Sequence, residues 1–283
     1  MDGDLFSVDI LKGALKDMDY VFHVAGVVKS RTKEGFERGN TLATKRLLTA
    51  CYDVNPQINT RLKKFVHISS LAACGPNPDE NPITEQYNPE PITTYGITKR
   101  KAELEVLEYK NLMNVVILRP PAIFGPRDTE ILIYFKTYMK GLNSVIGLGK
   151  KYLSLIYVKD FVEGIVDAAE KETKSGEIFF ISSDRAYNWD EIAQTTSSLL
   201  KKKALKLPVP HWFVFIAGFI AQFVSLFGRK PATLNIEKCY DITRKRWVCS
   251  NEKAKRILGW KESHSLEEGF SETINWYREM KWL

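Results

Sequence analysis

The apolar positions change period along the chain. Residues 20–24, 65–68, 114–118 and 177–182 are short runs rich in valine, isoleucine and aromatic side chains, which predicts buried strands. Elsewhere the apolar residues recur three and four apart. Helical patterns run over 9–15, through Leu47, Leu48 and Ala50, from Tyr95 on through 101–109, over 129–140 and from Trp189. We expect the strands to form a parallel sheet. Asp160, after an apolar run at 155–158, is expected to cap a helix and to be structural. Near the end, 250–259 reads as a short helix closed by Gly259. Ser265-Leu266-Glu267-Glu268 is a capping box for a last helix carrying Phe270, Ile274, Trp276 and Tyr277. The segment 212–227 stands apart, apolar but for Gln222 and Ser225 and flanked by Pro210 and Gly228-Arg229-Lys230. It is shorter than the ~20 residues a membrane span needs. We read it as a helix of a smaller C-terminal lobe, with peripheral membrane contact through 212–227 as the alternative.

The chain is organised around 65–99. An apolar strand ends in Ser69-Ser70. A turn-rich loop follows, with Gly75-Pro76-Asn77-Pro78 and Pro82, and a helix then places Tyr95 and Lys99 one turn apart on one face. These residue types suit proton transfer at a carbon-bound oxygen. A free tyrosine, with a pKa of about 10, is a poor base at neutral pH, and a neighbouring ammonium lowers that value. A serine hydroxyl aimed at the same point can hold the substrate oxygen. The same spacing recurs at Tyr277 and Lys281, without a serine-tipped strand before it, and there we read an ordinary surface pair.

Composition narrows the class. The 283 residues are 44% hydrophobic and 12% aromatic, enough for one large domain or one with a small lobe. Cys51, Cys74, Cys239 and Cys249 show neither paired nor metal-like spacing, which points to a reducing, cytoplasmic location and to no metal site. The start, Met1-Asp2-Gly3-Asp4, is acidic and polar and does not read as a signal peptide. The net charge of +7 is carried by scattered lysines and arginines on no nucleic-acid motif, so nucleic acid is not an expected partner.

Ser70, Tyr95 and Lys99, with their spacing, resemble the catalytic set of the extended short-chain dehydrogenase/reductase family. That family includes NAD-dependent epimerases and dehydratases, 3β-hydroxysteroid dehydrogenases and dihydroflavonol-type reductases. Further motifs carry the likeness: Asp4-Leu5, His23-Val24-Ala25-Gly26, Asn40-Thr41-Leu42-Ala43-Thr44, Arg119-Pro120-Pro121-Ala122-Ile123-Phe124-Gly125-Pro126 and Leu258-Gly259-Trp260. The resemblance implies a doubly wound α/β fold of Rossmann type with a parallel sheet, and a smaller, mostly helical substrate lobe. It places an incomplete dinucleotide-binding domain at 1–126 plus 151–185 and the lobe at 127–150 and 186–283. NAD or NADP would touch Asp4 and Leu5 at adenine, then Val24, Ala25 and Gly26, with Tyr95 and Lys99 at the ribose and the backbone of Pro121, Ala122 and Ile123 beside nicotinamide. Asn40 would be structural.

The family's glycine-rich phosphate loop has no counterpart in this sequence, and neither has the residue that separates NAD from NADP. We therefore expect Met1 to be an internal methionine, or the chain to be a shortened form, and this chain to bind its cofactor poorly. Leu71-Ala72-Ala73 after the serine lacks the acidic pair of sugar dehydratases. Arg119-Pro120-Pro121-Ala122 lacks the asparagine of hexose epimerases. The expected activity is hydride transfer at a secondary alcohol or ketone carbon of a small, apolar substrate. A nucleotide-sugar epimerase is the second reading, a non-catalytic binding protein the third, and a second copy of the chain is a candidate partner.

Overall fold

The computed structural model describes residues 4–54, 62–228 and 231–283. Strands Tyr20–His23, Lys64–Ile68, Val115–Arg119 and Glu177–Phe180 lie side by side in that order, all parallel. The two middle strands are buried at every position, so both faces need apolar cover. Because successive side chains point to opposite faces, Phe65, Val115 and Ile117 meet Leu11, Leu15, Leu48 and Val106 from the helices Val8–Leu15, Ala43–Val54 and Thr94–Glu108. Val66, Ile68, Val116 and Leu118 meet Phe161 and Ala168 of helix Val158–Glu170 on the other face, together with Leu258 and Trp260. This is the doubly wound parallel sheet expected of the sequence. Lys64 is buried at the foot of its strand, where its Nζ donates to the carbonyls of Ala168 (3.0 Å) and Lys171 (2.5 Å) at the end of that helix.

A second core joins Phe124, Phe135, Tyr157, Ile192, Phe270, Ile274 and Tyr277. Phe270 stands edge-on to both Phe124 (5.1 Å between centroids) and Phe135 (5.2 Å). The region is less purely helical than its sequence reads. Ala122–Phe124 pairs with Leu155–Tyr157, Leu142–Ile146 pairs with Leu205–Val209, and Tyr152–Leu153 lies between Arg246–Trp247 and Tyr187–Asn188. These strands are two to five residues long, too short for most of them to show a period of their own.

Two expectations are corrected. Tyr277 is no surface residue: it is buried and its hydroxyl donates to the Asp128 carbonyl, while Lys281 lies past the end of helix Leu266–Glu279. Asp160 does not cap helix Val158–Glu170, which starts after Tyr157. Its buried carboxylate instead accepts from the His264 backbone N–H (3.1 Å), and its carbonyl accepts from Trp260 Nε1 (3.1 Å), pinning the segment that enters the last helix. The segment 212–227 forms most of helix His211–Leu226, as read, and most of its large apolar side chains are exposed. The capping box at Ser265 and the left-handed Gly259 (φ 70°) form as read.

Candidate active site

Strand Lys64–Ile68 delivers Ser70 to the C-terminal edge of the sheet. There Ser70 Oγ accepts the Ala72 N–H (3.1 Å) and starts one turn of 3₁₀ helix, Leu71–Ala73. Helix Thr94–Glu108 begins opposite, its first turn capped by Thr93 Oγ1 accepting the Gly96 N–H (3.1 Å). Gly96 sets how close the two come: a Cβ there would lie 2.3 Å from the Ala72 carbonyl oxygen. That approach brings the Ser70 hydroxyl near the Tyr95 phenol, and both face one cleft. Burial raises the phenol's pKa above its usual value; the Ser70 hydroxyl and the positive charge of Lys238 act against the rise. The net direction is upward, whereas the spacing to Lys99 led us to expect lowering.

Lys99 serves a different contact. Its Nζ donates to the Ile68 carbonyl (2.6 Å), and a Cβ placed on Gly26 would lie 3.8 Å from that ammonium. Burial brings its pKa down to about 8. Near it the rings of His23 and His67 lie tilted to one another, their centroids 5.3 Å apart. Burial, with the Lys99 charge, lowers His23 to about 4 and His67 well below the usual histidine range, so both rings are neutral near pH 7. Asn40 emerges from a π-helical turn, Glu37–Leu42, before helix Ala43–Val54. It accepts the Val27 N–H (2.7 Å) and donates to the Val27 carbonyl and to Thr98 Oγ1 (both 3.0 Å). The loop after the first strand is thereby fastened to the helix of Tyr95 and Lys99, a structural task as anticipated.

One group was not anticipated from the sequence. Glu103, one turn beyond Lys99 and buried, takes two bonds from Arg119 at 2.7 and 2.6 Å, one from Ser69 Oγ at 2.6 Å and one from Arg100 at 2.9 Å. Burial alone would raise its carboxyl; Arg119, Ser69 and Arg100 hold it below the usual carboxylate range. The cluster ties the tips of two strands to the helix and so sets the spacing of Ser70 and Tyr95. Its only sequence signal is an acid four residues after Lys99 and an arginine opening the proline loop.

Ser70, Tyr95, Pro121 and Ala122 share the wall of a cleft of about 840 Å³. Val28, Phe36, Leu71, Tyr134, Ile146 and Trp189 make it largely apolar, and charges of both signs line it, Lys238 and Arg244 among the cations and Glu130, Glu237 and Asp241 among the carboxylates. Ile123 is exposed beside it, and Val24, Ala25 and Gly26 are exposed past the end of strand Tyr20–His23. Asp4 accepts the Phe6 N–H (3.1 Å) from an exposed position, while Leu5 packs against the Leu11 and Leu47 core. The residues fit the nicotinamide-ribose end of a dinucleotide. Gly26 leaves a backbone surface that a side chain would obstruct, with Asn40 Oδ1 3.2 Å from a would-be Cβ, and Ile68 engages one of the three donors of Lys99. Among the described residues no glycine-rich helix start stands ready for the pyrophosphate, and no group of metal-ligating side chains is found.

Comparison with known proteins agrees with this geometry. The chain is 27% identical to the mouse (Mus musculus) decarboxylating sterol-4-alpha-carboxylate 3-dehydrogenase, covering 99% of this chain and 80% of the relative. It is 26% identical to a ceramide reductase of Caulobacter vibrioides (99% and 81% covered) and to the UDP-glucose 4-epimerase of Vibrio cholerae (96% and 82%). Among solved structures, MoeE5 in complex with UDP-glucuronic acid and NAD superposes with a TM-score of 0.76 at 21% identity (99% and 85% covered). A UDP-glucose 4-epimerase from Thermotoga maritima with UDP-glucose gives 0.78 at 21% (99% and 84%). At such identity these two speak for the fold. The profile of the NAD dependent epimerase/dehydratase family matches residues 1–182, well over half of the chain. The chain therefore belongs to the NAD-dependent epimerase/dehydratase family, as an NAD-dependent oxidoreductase of the extended short-chain type.

Proposed function

We propose that this chain moves a hydride at a secondary alcohol or ketone carbon of a small, apolar substrate. The neighbouring hydroxyls of Ser70 and Tyr95 on the wall of a largely apolar cleft carry this reading. NAD(P) bound there would supply or accept the hydride at the carbon bearing the reacting oxygen. In reduction the Tyr95 phenol gives its proton to that oxygen and becomes the phenolate; in oxidation the phenolate takes the proton back, and Ser70 Oγ holds the oxygen in line. Lys99, close under Gly26, binds the ribose. The buried Glu103–Arg119 pair keeps the first two at fixed spacing, and the apolar walls exclude water. Residues 1–126 plus 151–185 serve the cofactor, and 127–150 with 186–283 the substrate. The four buried cysteines, without paired spacing in the sequence, support a cytoplasmic location. Besides the substrate, the partner we assign is a lipid surface, met through 212–227.

The test is nicotinamide absorbance with a long-chain or sterol ketone and with UDP-glucose, for wild type and Tyr95→Phe. Turnover of the apolar ketone that Tyr95→Phe abolishes is the expected result. Undiminished turnover in that variant would refute the assignment. The cations Lys238 and Arg244 in the cleft favour one second reading, a nucleotide-sugar epimerase; inversion of UDP-glucose with no ketone reduction would establish it.

A further inference from the structure

Nearly all of the net charge sits in one stretch. Of the 41 lysines and arginines, six lie in 192–236, which contains no aspartate or glutamate; the other 35 face 34 acidic residues and nearly cancel. Lys201, Lys202, Lys203 and Lys206 precede helix His211–Leu226, and Arg229 and Lys230 follow it in sequence. The helix itself has no charged residue. It docks through one side only. The Cys239 thiol donates to the Val214 carbonyl (3.3 Å), Phe215 stands edge-on to Tyr240 (5.0 Å), and Gln222 Oε1 accepts the Ile236 N–H (3.1 Å). Gly218 permits the approach, since a Cβ there would lie 2.3 Å from Cys239 Sγ.

The other side has no cover. Trp212, Phe213, Ile216, Phe219, Ile220 and Phe223 are each 50–64% exposed. At 3.6 residues per turn these six fall within one arc of about 120°. Leu148, 90% exposed, extends the apolar surface from the turn beside His211. The helix is about 24 Å long, and no helix among the described residues is long and apolar enough to cross a membrane.

We propose that this stripe lies along the headgroup–acyl boundary of an anionic lipid surface, drawn there by the basic residues on either side of it. An uncharged aromatic face bracketed by cations is what such a boundary binds. A second copy fits worse, because a two-fold contact would bring two acid-free, six-cation segments together. The start of the helix abuts Gly147 and Lys151, next to Ile146 in the cleft wall, so the docked chain holds its cleft beside the bilayer from which an apolar substrate would come. This deepens the lipid partner assigned above and rests on it, not on the chemistry at Tyr95.

Co-sedimentation of the whole chain with vesicles of phosphatidylcholine, with and without phosphatidylserine, tests the proposal. Binding is expected to rise several-fold with phosphatidylserine and to fall with salt. The double variant Phe219→Glu/Phe223→Glu should lose binding by about tenfold or more with unchanged thermal melting, since both side chains are outside the core. Changing Lys201, Lys202 and Lys203 to glutamine should remove the preference for phosphatidylserine. Equal, negligible binding of the folded wild type to both vesicles would overturn the proposal. So would a wild-type dimer in sedimentation equilibrium that the Phe219→Glu/Phe223→Glu variant dissociates. The two readings separate cleanly: Tyr95→Phe should bind vesicles without turnover, and the double variant should turn over a water-soluble ketone without binding vesicles.

Discussion

Two places on the C-terminal edge of the sheet differ in how complete they are. At the tips of Lys64–Ile68 and Val115–Arg119, Ser69, Ser70, Lys99, Glu103 and Arg119 each have a hydrogen-bond partner from within the chain. At the tip of Tyr20–His23 the surface is open: Phe22, Val24 and Val28 are exposed, and the strand is paired on one side only among the described residues. The first place is set before any ligand arrives, because a buried ion pair and a close backbone approach over-determine it. The second offers backbone and apolar surface to a ligand or a neighbouring strand, with little charge to hold a phosphate. The chemistry of the site and its grip on the cofactor are thus separable properties of this chain.

The sharpest way to break that comparison is at Tyr95. Tyr95→Phe is expected to lower turnover by about 10²–10⁴-fold with cofactor binding and melting temperature preserved, since only the proton-transferring oxygen is lost. Steady-state rates beside a melting curve decide it. On the open side, calorimetry of the 283-residue chain with NADH and NADPH should show weak binding. Each charge-assisted bond to the pyrophosphate is worth ~1.5–3 kcal/mol, so the lack of two or three costs orders of magnitude in affinity. Micromolar binding would show that other residues of this chain hold the phosphates.

Removing Arg119 probes the closed side. Arg119→Met leaves the Glu103 carboxylate buried without its main partner, and a loss of ~3–5 kcal/mol in unfolding free energy is expected from denaturant titration. Gly96→Ala forces a methyl group against the Ala72 carbonyl; ~1–3 kcal/mol of stability should go, and turnover with it, as Ser70 and Tyr95 are pushed apart. The smallest effect is a pH dependence. With the folded-state pKa of Lys99 near about 8 and the unfolded one near about 10.4, the unfolded chain binds more protons between these values, so this group makes stability rise with pH across that window. Below it the cost of burying the ammonium is constant. The neighbouring His23, His67 and Glu103 titrate well below the window and leave it clear. Unfolding of wild type and Lys99→Met at about pH 7 and about pH 9.5 should differ by this contribution; a falling difference would refute it.

The strands and the helix of Tyr95 were legible because their patterns are local: β-branched runs bounded by turns, and apolar residues three and four apart. The Ser70–Tyr95 meeting was readable as a motif, but Gly96, which permits it, looks in sequence like any helix-start glycine. Lys238 was not readable at all. Its charge, paired with Asp241, acts on Tyr95 from helix Ile236–Thr243, which Glu237 fixes to the catalytic helix by accepting from the Thr94 N–H (2.8 Å) and hydroxyl (2.6 Å). A contact across more than a hundred residues has no period to betray it.

By itself the sequence determined which segments could be buried strands, which residues could exchange a proton, and how much positive charge surrounds 212–227, since composition and spacing are properties of the chain. Tertiary structure alone decided which cation's charge acts on the tyrosine, that Tyr277 is core and Lys281 lies outside its helix, and that the apolar helix His211–Leu226 turns its aromatic side outward. Each of those depends on what packs against a residue from distant parts of the chain, and burial is a property of the packed whole rather than of any local pattern.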